Sequence, residues 1–269
     1  MIGASSVLAW VMIVGFVAGL IPAVLAIPTA PALDALQVAG LIVNGLSYTA
    51  GLLLAYLALT IGRVSIVAPI TSTEGAVTAL IAVLLGEAIS APTAIILAVL
   101  AVGIVLASIE KAADPTEEPA AAGERRTHDP AKNRRAVLLA VSAAVAFSIG
   151  LVVSARLGES VPLAWIVVVP RLVGMLVIAL PLILRGQLRL TRRALPLVII
   201  SGVLEAAGTV LFVVAAQDGV AEAAVLGSQF AAIAAVGGFL LFGERLARIQ
   251  VVGIAVIAVG VTVLAVLRA

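Results

Sequence analysis

The chain has 269 residues, of which 63% are hydrophobic and 11% are charged, with a formal net charge of +2 and a mean hydropathy of +1.29. Soluble domains carry roughly 25% charged residues, so this composition excludes an ordinary soluble protein and indicates a multi-pass membrane protein whose helices face lipid. Because the chain contains no cysteine, disulfides, thiolate nucleophiles and iron–sulfur clusters are also excluded.

Nine apolar stretches are long enough to cross a bilayer as helices of about 20 residues. They cover residues 5–27, 39–61, 65–85, 92–109, 136–155, 162–184, 195–216, 220–242 and 249–267. The first of them is not preceded by a basic region, so we interpret it as a retained transmembrane helix and not as a signal peptide. The predicted fold class is therefore an all-α integral membrane protein with nine transmembrane helices.

A polar segment at residues 110–135 separates two halves of the chain. It holds twelve of the thirty charged residues and is rich in alanine and proline, which is typical of a flexible, solvated linker. Its histidine, His128, lies without plausible metal partners nearby, and no metal or other cofactor is predicted. We therefore divide the chain into a first repeat at 1–110, a linker at 111–135 and a second repeat at 136–269.

The two halves match each other at a constant spacing of 157 residues. Three glycine pairs and one Gly-Glu pair keep this register: Gly45 with Gly202, Gly51 with Gly208, Gly62 with Gly219, and Gly86-Glu87 with Gly243-Glu244. The final stretches also agree, with LAVLAVG at 97–103 and IAVIAVG at 254–260. Weak internal symmetry of this kind is typical of transporters that are built from repeats.

The first half has four apolar stretches and the second has five, because nothing in front of 5–27 matches 136–155. We therefore predict that the first helix of the first repeat is absent, and we expect a longer native chain or a partner to supply it beside 39–61. A five-helix repeat crosses the membrane an odd number of times, so the two repeats are predicted to be inverted.

Thirteen of the sixteen Lys and Arg residues fall in the loops of one side, which predicts that this side, with the N-terminus, is cytoplasmic.

The segments LLGEAISAPTAIILAVLAVGIVL at 84–106 and LFGERLARIQVVGIAVIAVGVTV at 241–263 share one pattern. Each has an apolar helix that ends in Gly-Glu, a short polar turn, and a final helix that contains glycine. This doubled pattern resembles the EamA-like family of the drug/metabolite transporter superfamily, and the resemblance covers nearly the whole chain. It implies a plasma (inner) membrane exporter of small metabolites or drugs, built from two inverted five-helix repeats around a central cavity. In this family both termini are usually cytoplasmic. The orientation predicted above differs, because nine helices place the C-terminus on the external side.

The Gly-Glu pairs also have a local structural interpretation. Gly86 and Gly243 suit the left-handed position that ends a helix, and Ser90 suits the start of the next one. Glu87 and Glu244 are interpreted as structural caps beside a helix N-terminus near the membrane surface, where the helix dipole favours an anion.

Three ionisable residues, Glu74, Arg171 and Glu205, fall near the centres of apolar stretches. A charge at the bilayer centre costs about 2.5–3.5 kcal/mol on insertion scales, so such residues normally face a bundle interior or a wet cavity and mark a substrate or proton path. None of the three is duplicated at the repeat spacing, so they do not belong to a shared scaffold. The structural alternative is a buried salt bridge between Arg171 and one of the glutamates that only fixes packing.

Glu74 lies in APITSTEG at 68–75, where Pro69 can break the helix and expose backbone groups to a cavity at mid-depth. The repeat-related stretch is VLGSQFAA at 225–232, and we predict that the two polar stretches face each other. Besides the three charges, the predicted substrate- or ion-binding residues are Asn44, Tyr48, Thr71, Ser72, Ser228 and Gln229. Trp10 and Trp165 are further candidates, although lone tryptophans more often anchor a helix at the membrane interface.

The sequence thus predicts a secondary transporter that works by alternating access through a central cavity, with proton coupling through Glu74 as one mechanism. No P-loop, dinucleotide fingerprint, HExxH or GxSxG motif is present, so neither an ATP-driven pump nor an enzyme is predicted. The expected partners are the lipid bilayer and a small-molecule substrate, without nucleic acid, and a homo-oligomer is left open. The alternative is a non-transporting membrane scaffold or subunit, which would pack its buried charges dry instead of around a wet cavity.

Overall fold

The computed structural model of the chain describes residues 3–29, 32–62, 64–108, 130–229, 232–233, 236 and 247–268. Within these residues the regular secondary structure is entirely helical. The polar linker as far as residue 129 and the second Gly-Glu pair, Gly243-Glu244, lie outside the described residues.

The helices follow the apolar stretches of the sequence. The first half contains α1 (Ala4–Leu25), α2 (Ala35–Ile61), α3 (Val64–Thr71), α4 (Glu74–Leu84) and α5 (Ala91–Ser108). The second half contains α6 (Pro130–Gly158), α7 (Leu163–Gly174), α8 (Leu180–Leu184), α9 (Leu195–Ala215), α10 (Val220–Gly227) and α11 (Arg248–Arg268). A π-helical turn, Met175–Ala179, joins α7 to α8.

Five helical segments in the described part of the chain are long and apolar enough to cross a membrane. They are Ser5–Leu25, Ala35–Ile61, Arg134–Gly158, Leu163–Leu184 and Leu195–Ala215. The other four predicted stretches contain, in chain order, α3 and α4, α5, α10, and α11. Many large apolar side chains on these helices are exposed, which is the expected surface of a multi-pass membrane protein because lipid covers it.

The stretch 65–85 is broken, but not at Pro69. α3 continues through Pro69 to Thr71, and the chain leaves the helix at Ser72 and Thr73 before α4 begins at Glu74. The repeat-related helix α10 ends at Gly227 and is followed by a turn at Ser228 and Gln229. Both stretches that were predicted to be polar therefore contain a turn at nearly the same register, although a break was predicted only for the first.

Two helix pairs that the 157-residue spacing matches pack against one another, α1 on α7 and α5 on α11. α4 packs on α10, the helix that this spacing matches with α3. The crossed pairs α1 with α9 and α2 with α7 are also in contact. α6 of the second half packs along α2 of the first half, and the additional helix expected beside α2 remains a prediction. The result is one bundle in which helices of the first half pack between helices of the second half.

Two glycines of the repeat pattern permit the crossed pairs to approach closely. A Cβ added at Gly45 of α2 would lie 2.8 Å from the Val173 Cβ of α7, and one added at Gly202 of α9 would lie 2.8 Å from the Val14 Cβ of α1. Small residues at such crossings let helix backbones approach in a membrane, where packing and not water exclusion drives association. The two glycines, which lie 157 residues apart in the internal repeat, therefore occupy two similar helix crossings.

The Gly-Glu pair of the first half ends α4 as expected. Gly86 has a φ of 101°, the left-handed conformation predicted for it, and the Ser90 Oγ accepts a hydrogen bond from the Thr93 amide at 3.3 Å at the start of α5. The Glu87 carboxylate does lie beside a helix N-terminus, but the helix is α10 of the other half, where its Oε1 accepts from the Ala221 amide at 3.1 Å. Glu87 thus connects the end of α4 to the start of α10.

We predict that Gly45→Ala and Gly202→Ala each lower the free energy of unfolding in detergent by about 1–3 kcal/mol, because the added methyl group overpacks a helix crossing. Thermal unfolding measures the change. Gly208→Ala is the matched control, since a Cβ there has no heavy atom within 4 Å and alanine favours a helix by roughly 0.5–1 kcal/mol over glycine. Equal stability of all three variants would show that the crossings are not close-packed.

Candidate functional site

A cavity of about 570 Å³ lies in the middle of the bundle between α2, the α3–α4 break, α6, α7, α9 and α10. This volume is within the range of roughly 300–1,000 Å³ that is usual for small-molecule sites. Its polar lining consists of Asn44, Tyr48, Tyr56, Thr71, Glu74, Ser154, Arg171, Glu205, Thr209 and Ser228. Phe147, Phe212 and several small or aliphatic residues supply the apolar part of the wall.

Arg171 is buried in the wall of the cavity, with 2% of its surface exposed. Its guanidinium donates to the Val167 carbonyl at 2.8 Å and to the Thr209 Oγ1 at 2.9 Å. The guanidinium carbon also lies 5.5 Å from the centre of the Tyr48 ring, which is a cation–π distance. The guanidinium thus contacts a carbonyl, a hydroxyl and an aromatic face, and no carboxylate of the described residues forms an ion pair with it within 4 Å.

The stem of Arg171 fits against a glycine of α1. A Cβ added at Gly15 would lie 2.9 Å from the Arg171 Nε and 3.1 Å from its Cδ. Because no side chain occupies this position, the long arginine can run along α1 and still place its guanidinium between α2 and α9. The orientation of the cation is therefore determined by contacts on both sides.

Tyr48 and Glu205 occupy equivalent positions of the two halves, 157 residues apart, and they contact each other directly. The Tyr48 hydroxyl donates a hydrogen bond to the Glu205 carboxylate. Tyr48 also packs its ring edge-on to Phe147, with centroids 6.3 Å apart. This bond connects α2 with α9 across the cavity.

The Glu74 carboxylate differs from the Glu205 carboxylate in having no hydrogen bond or ion pair among the residues that the structure describes. It belongs to the first residue of α4, where the helix dipole favours a negative charge. The backbone carbonyl of Glu74 accepts from the Thr78 Oγ1 at 2.7 Å and from the Ser148 Oγ of α6 at 2.9 Å. The backbone is therefore fixed, while the carboxylate remains available to the cavity.

Hydroxyl groups add hydrogen bonds to backbone carbonyls of α3 just before the helix break. Thr71 donates to the carbonyls of Val67 and Ala68, at 3.1 and 3.0 Å, and Ser72 donates to Ala68 at 2.9 Å. Thr73 donates to Ile70 at 2.7 Å. The expectation that the break exposes backbone groups to the cavity is thus wrong for these carbonyls, because the adjacent side chains bind them.

No salt bridge joins Arg171 to Glu74 or Glu205 in the described part of the chain. The ion pair found there within 4 Å is between Arg156 and Glu159, at 3.8 Å, and both side chains are exposed. The structural alternative of a buried Arg–Glu pair is therefore wrong for this structure. Thr209 and the Tyr48 ring take the place of the expected carboxylate.

The structure brings seven of the nine predicted site residues to the cavity wall: Asn44, Tyr48, Thr71, Glu74, Arg171, Glu205 and Ser228. Ser72 lies on a smaller, apolar cavity of about 250 Å³ behind the break, which Ser228 also contacts. Gln229 lines neither of these cavities. Trp10 and Trp165 also lie outside the cavity lining, and the Trp165 indole donates to the Ala23 carbonyl at 3.1 Å.

Sequence reasoning missed Thr209, Tyr56, Ser154 and the two phenylalanines of the wall. Thr209 was detectable, because it follows Glu205 by four residues and therefore shares its helix face. Gly208 and Phe212 continue this face at the helical spacing. The residues of α6 had no comparable signal, since no charge marks the side of that helix that faces the cavity.

Thr209→Val should destabilise the protein by about 1–3 kcal/mol, because valine leaves a buried guanidinium donor without its acceptor. Thr209→Ser keeps the hydroxyl and should retain most of the stability. Thermal unfolding of both variants in the same detergent measures the difference. A valine variant as stable as the wild type would show that the Arg171–Thr209 bond contributes nothing.

Comparison with known proteins gives one family and one fold. A family model described as "Sugar transport protein" matches residues 6–267, whereas no curated protein matches the chain. One solved crystal structure, 15% identical, aligns over 99% of this chain and 88% of its own with a TM-score of 0.73; at that identity the likeness shows the fold alone. The family match and the apolar helices indicate a membrane transporter of the drug/metabolite transporter kind. The chain belongs to the sugar transport protein family.

Proposed function

We propose that this protein is a secondary transporter that carries a small, hydroxyl-rich solute of the monosaccharide class across the plasma (inner) membrane. The observation that carries the proposal is the central cavity, which contains two carboxylates, a guanidinium and an amide in a bundle of otherwise apolar helices. Ionisable groups are retained inside a membrane bundle mainly where they line a substrate or ion path. The family to which the chain belongs supports the choice of a sugar.

The cavity lining suits the chemistry of a neutral polyol. Carboxylates accept hydrogen bonds, the Asn44 amide both accepts and donates, and the Ser and Thr hydroxyls do the same. The rings of Tyr48, Tyr56 and Phe147 offer apolar surface to the C–H groups of a sugar ring. A site with few polar groups on a mostly apolar wall is the usual composition of a small-molecule site.

We further propose alternating access between two inverted repeats. Two helix pairs matched by the repeat spacing, α1 with α7 and α5 with α11, contact each other. The cavity is lined by helices of both halves. Rocking of one repeat against the other around a fixed site is the motion that such architecture favours. The resemblance to EamA-like transporters adds export as the proposed direction.

Glu74 is the proposed coupling site for protons. A carboxylate at this depth that has no cation among the described residues is costly as an anion, and it can be neutralised by a proton or by a bound solute. Exchange between the two would link solute movement to proton movement. The scaffold alternative is less well supported, because the charges border a cavity and are not packed together.

The proposal predicts selective binding of monosaccharides by the purified protein. A thermal-shift screen should show stabilisation by aldoses or related polyols, and little or none by amino acids, nucleosides, polyamines or cationic drugs. Binding stabilises the folded state by RT ln(1 + [L]/Kd), about 2.7 kcal/mol at a hundredfold excess over Kd. Stabilisation by cationic drugs alone would contradict the sugar assignment and favour a drug transporter.

Glu74→Gln should abolish proton-driven uptake of the solute into vesicles while it changes stability by about 1 kcal/mol or less. The stability change is small because no Lys or Arg of the described residues lies within 4 Å to be left unpaired, and glutamine preserves the shape of the side chain. Full proton-driven uptake by the variant would exclude the coupling role. A loss of several kcal/mol in stability would favour the scaffold, in which the carboxylate holds helices together.

A further inference from the structure

The bond between the Tyr48 hydroxyl and the Glu205 carboxylate joins two helices that scarcely meet elsewhere. α2 packs mainly on α6 and α7, and α9 packs mainly on α1. Both bonded side chains line the cavity. The bond therefore bridges the space in which a solute would lie.

The other contacts of Tyr48 are made by its ring. The Arg171 guanidinium lies over the ring face, 5.5 Å from the centroid, and Phe147 packs against the ring with a centroid distance of 6.3 Å. The hydroxyl has Glu205 as its partner. A phenylalanine at position 48 would thus keep the ring contacts and remove the bond between the helices.

A phenol and a sugar hydroxyl are the same kind of donor to a carboxylate. We propose that the Tyr48 hydroxyl occupies the place on Glu205 that a hydroxyl of the transported solute takes, so that solute binding displaces the phenol and frees α2 from α9. The solute class in this inference rests on the proposed function. The release of the two helices does not depend on which solute binds.

This exchange has two consequences for the transporter. The solute must replace an existing hydrogen bond, so it binds only the molecules in which the Tyr48–Glu205 bond is open. The apparent Kd is therefore the intrinsic Kd divided by the fraction of such molecules. Separation of α2 from α9 then accompanies binding, because the solute favours the state in which Glu205 is free. Tyr48 is therefore an affinity-determining residue that acts through Glu205.

The first arm of the test is the affinity for the best monosaccharide, measured by calorimetry with wild-type protein and Tyr48→Phe. Removing the competing phenol should lower Kd by about tenfold, the equivalent of one hydrogen bond to a charged group. Tyr56→Phe is the matched control, since it deletes a cavity phenol for which the described residues show no hydrogen bond to Glu205. It should not tighten binding.

The second arm measures the distance between α2 and α9 without any solute. The chain has no native cysteine, so spin labels can be placed at Leu46→Cys and Val203→Cys, which are 49% and 46% exposed on the lipid side of the two helices. Pulsed electron paramagnetic resonance should show a longer distance between the two spin labels in Tyr48→Phe than in the protein with Tyr48. Glu205→Ala removes the other half of the bond and should lengthen the same distance.

The outcomes separate this inference from the proposed function. If no sugar binds to any form, the solute assignment fails, and the spin-label distances still decide whether the bond holds the helices. Unchanged or weaker sugar binding by Tyr48→Phe would overturn the inference, because the hydroxyl would then be a bystander or a solute contact. Unchanged distances in both variants would overturn it as well.

Discussion

The structure depends on three charged side chains, a buried Arg171 and the half-buried Glu74 and Glu205, which lie inside a membrane-spanning bundle with no salt bridge among them in the described part of the chain. Arg171 is stabilised by Val167, Thr209 and the ring of Tyr48, and Glu205 by the hydroxyl of Tyr48. These hydrogen-bond and aromatic partners lower the free-energy cost of placing the two charges inside an apolar bundle. Together with Glu74, the two charges form a polar lining at the centre of an apolar protein.

Close helix packing gives this cavity its walls. At Gly45 and Gly202 the crossed helices approach until an added Cβ would lie 2.8 Å from a valine Cβ. A third close contact, at Gly75 of α4, leaves no room for a side chain beside Ser228, which follows α10. Close contacts at these glycines thus hold together the helices whose side chains line the cavity.

Much of the site was predictable because polar residues in apolar helices are rare, and Glu74, Arg171 and Glu205 stood out for that reason. Which groups would pair was not predictable, since pairing depends on how helices from the two halves cross. Tyr48 and Glu205 meet only because equivalent positions of α2 and α9 face each other, and Thr209 replaces the expected carboxylate because it lies one turn beyond Glu205. The helix break was expected at Pro69 from its missing amide, but α3 continues to Thr71, and the hydroxyls at 71–73 bond back to its carbonyls where it ends.

The central claim is that the cavity between the two halves binds the transported solute. Gly208 lines this cavity, and a side chain added there meets no heavy atom within 4 Å, so Gly208→Cys introduces one reactive group into a chain without cysteine. The most direct measurement is the rate at which a small thiol reagent modifies this cysteine with and without saturating monosaccharide. The account predicts strong protection by the sugar, whereas an unchanged rate in a protein that still transports the sugar would contradict it.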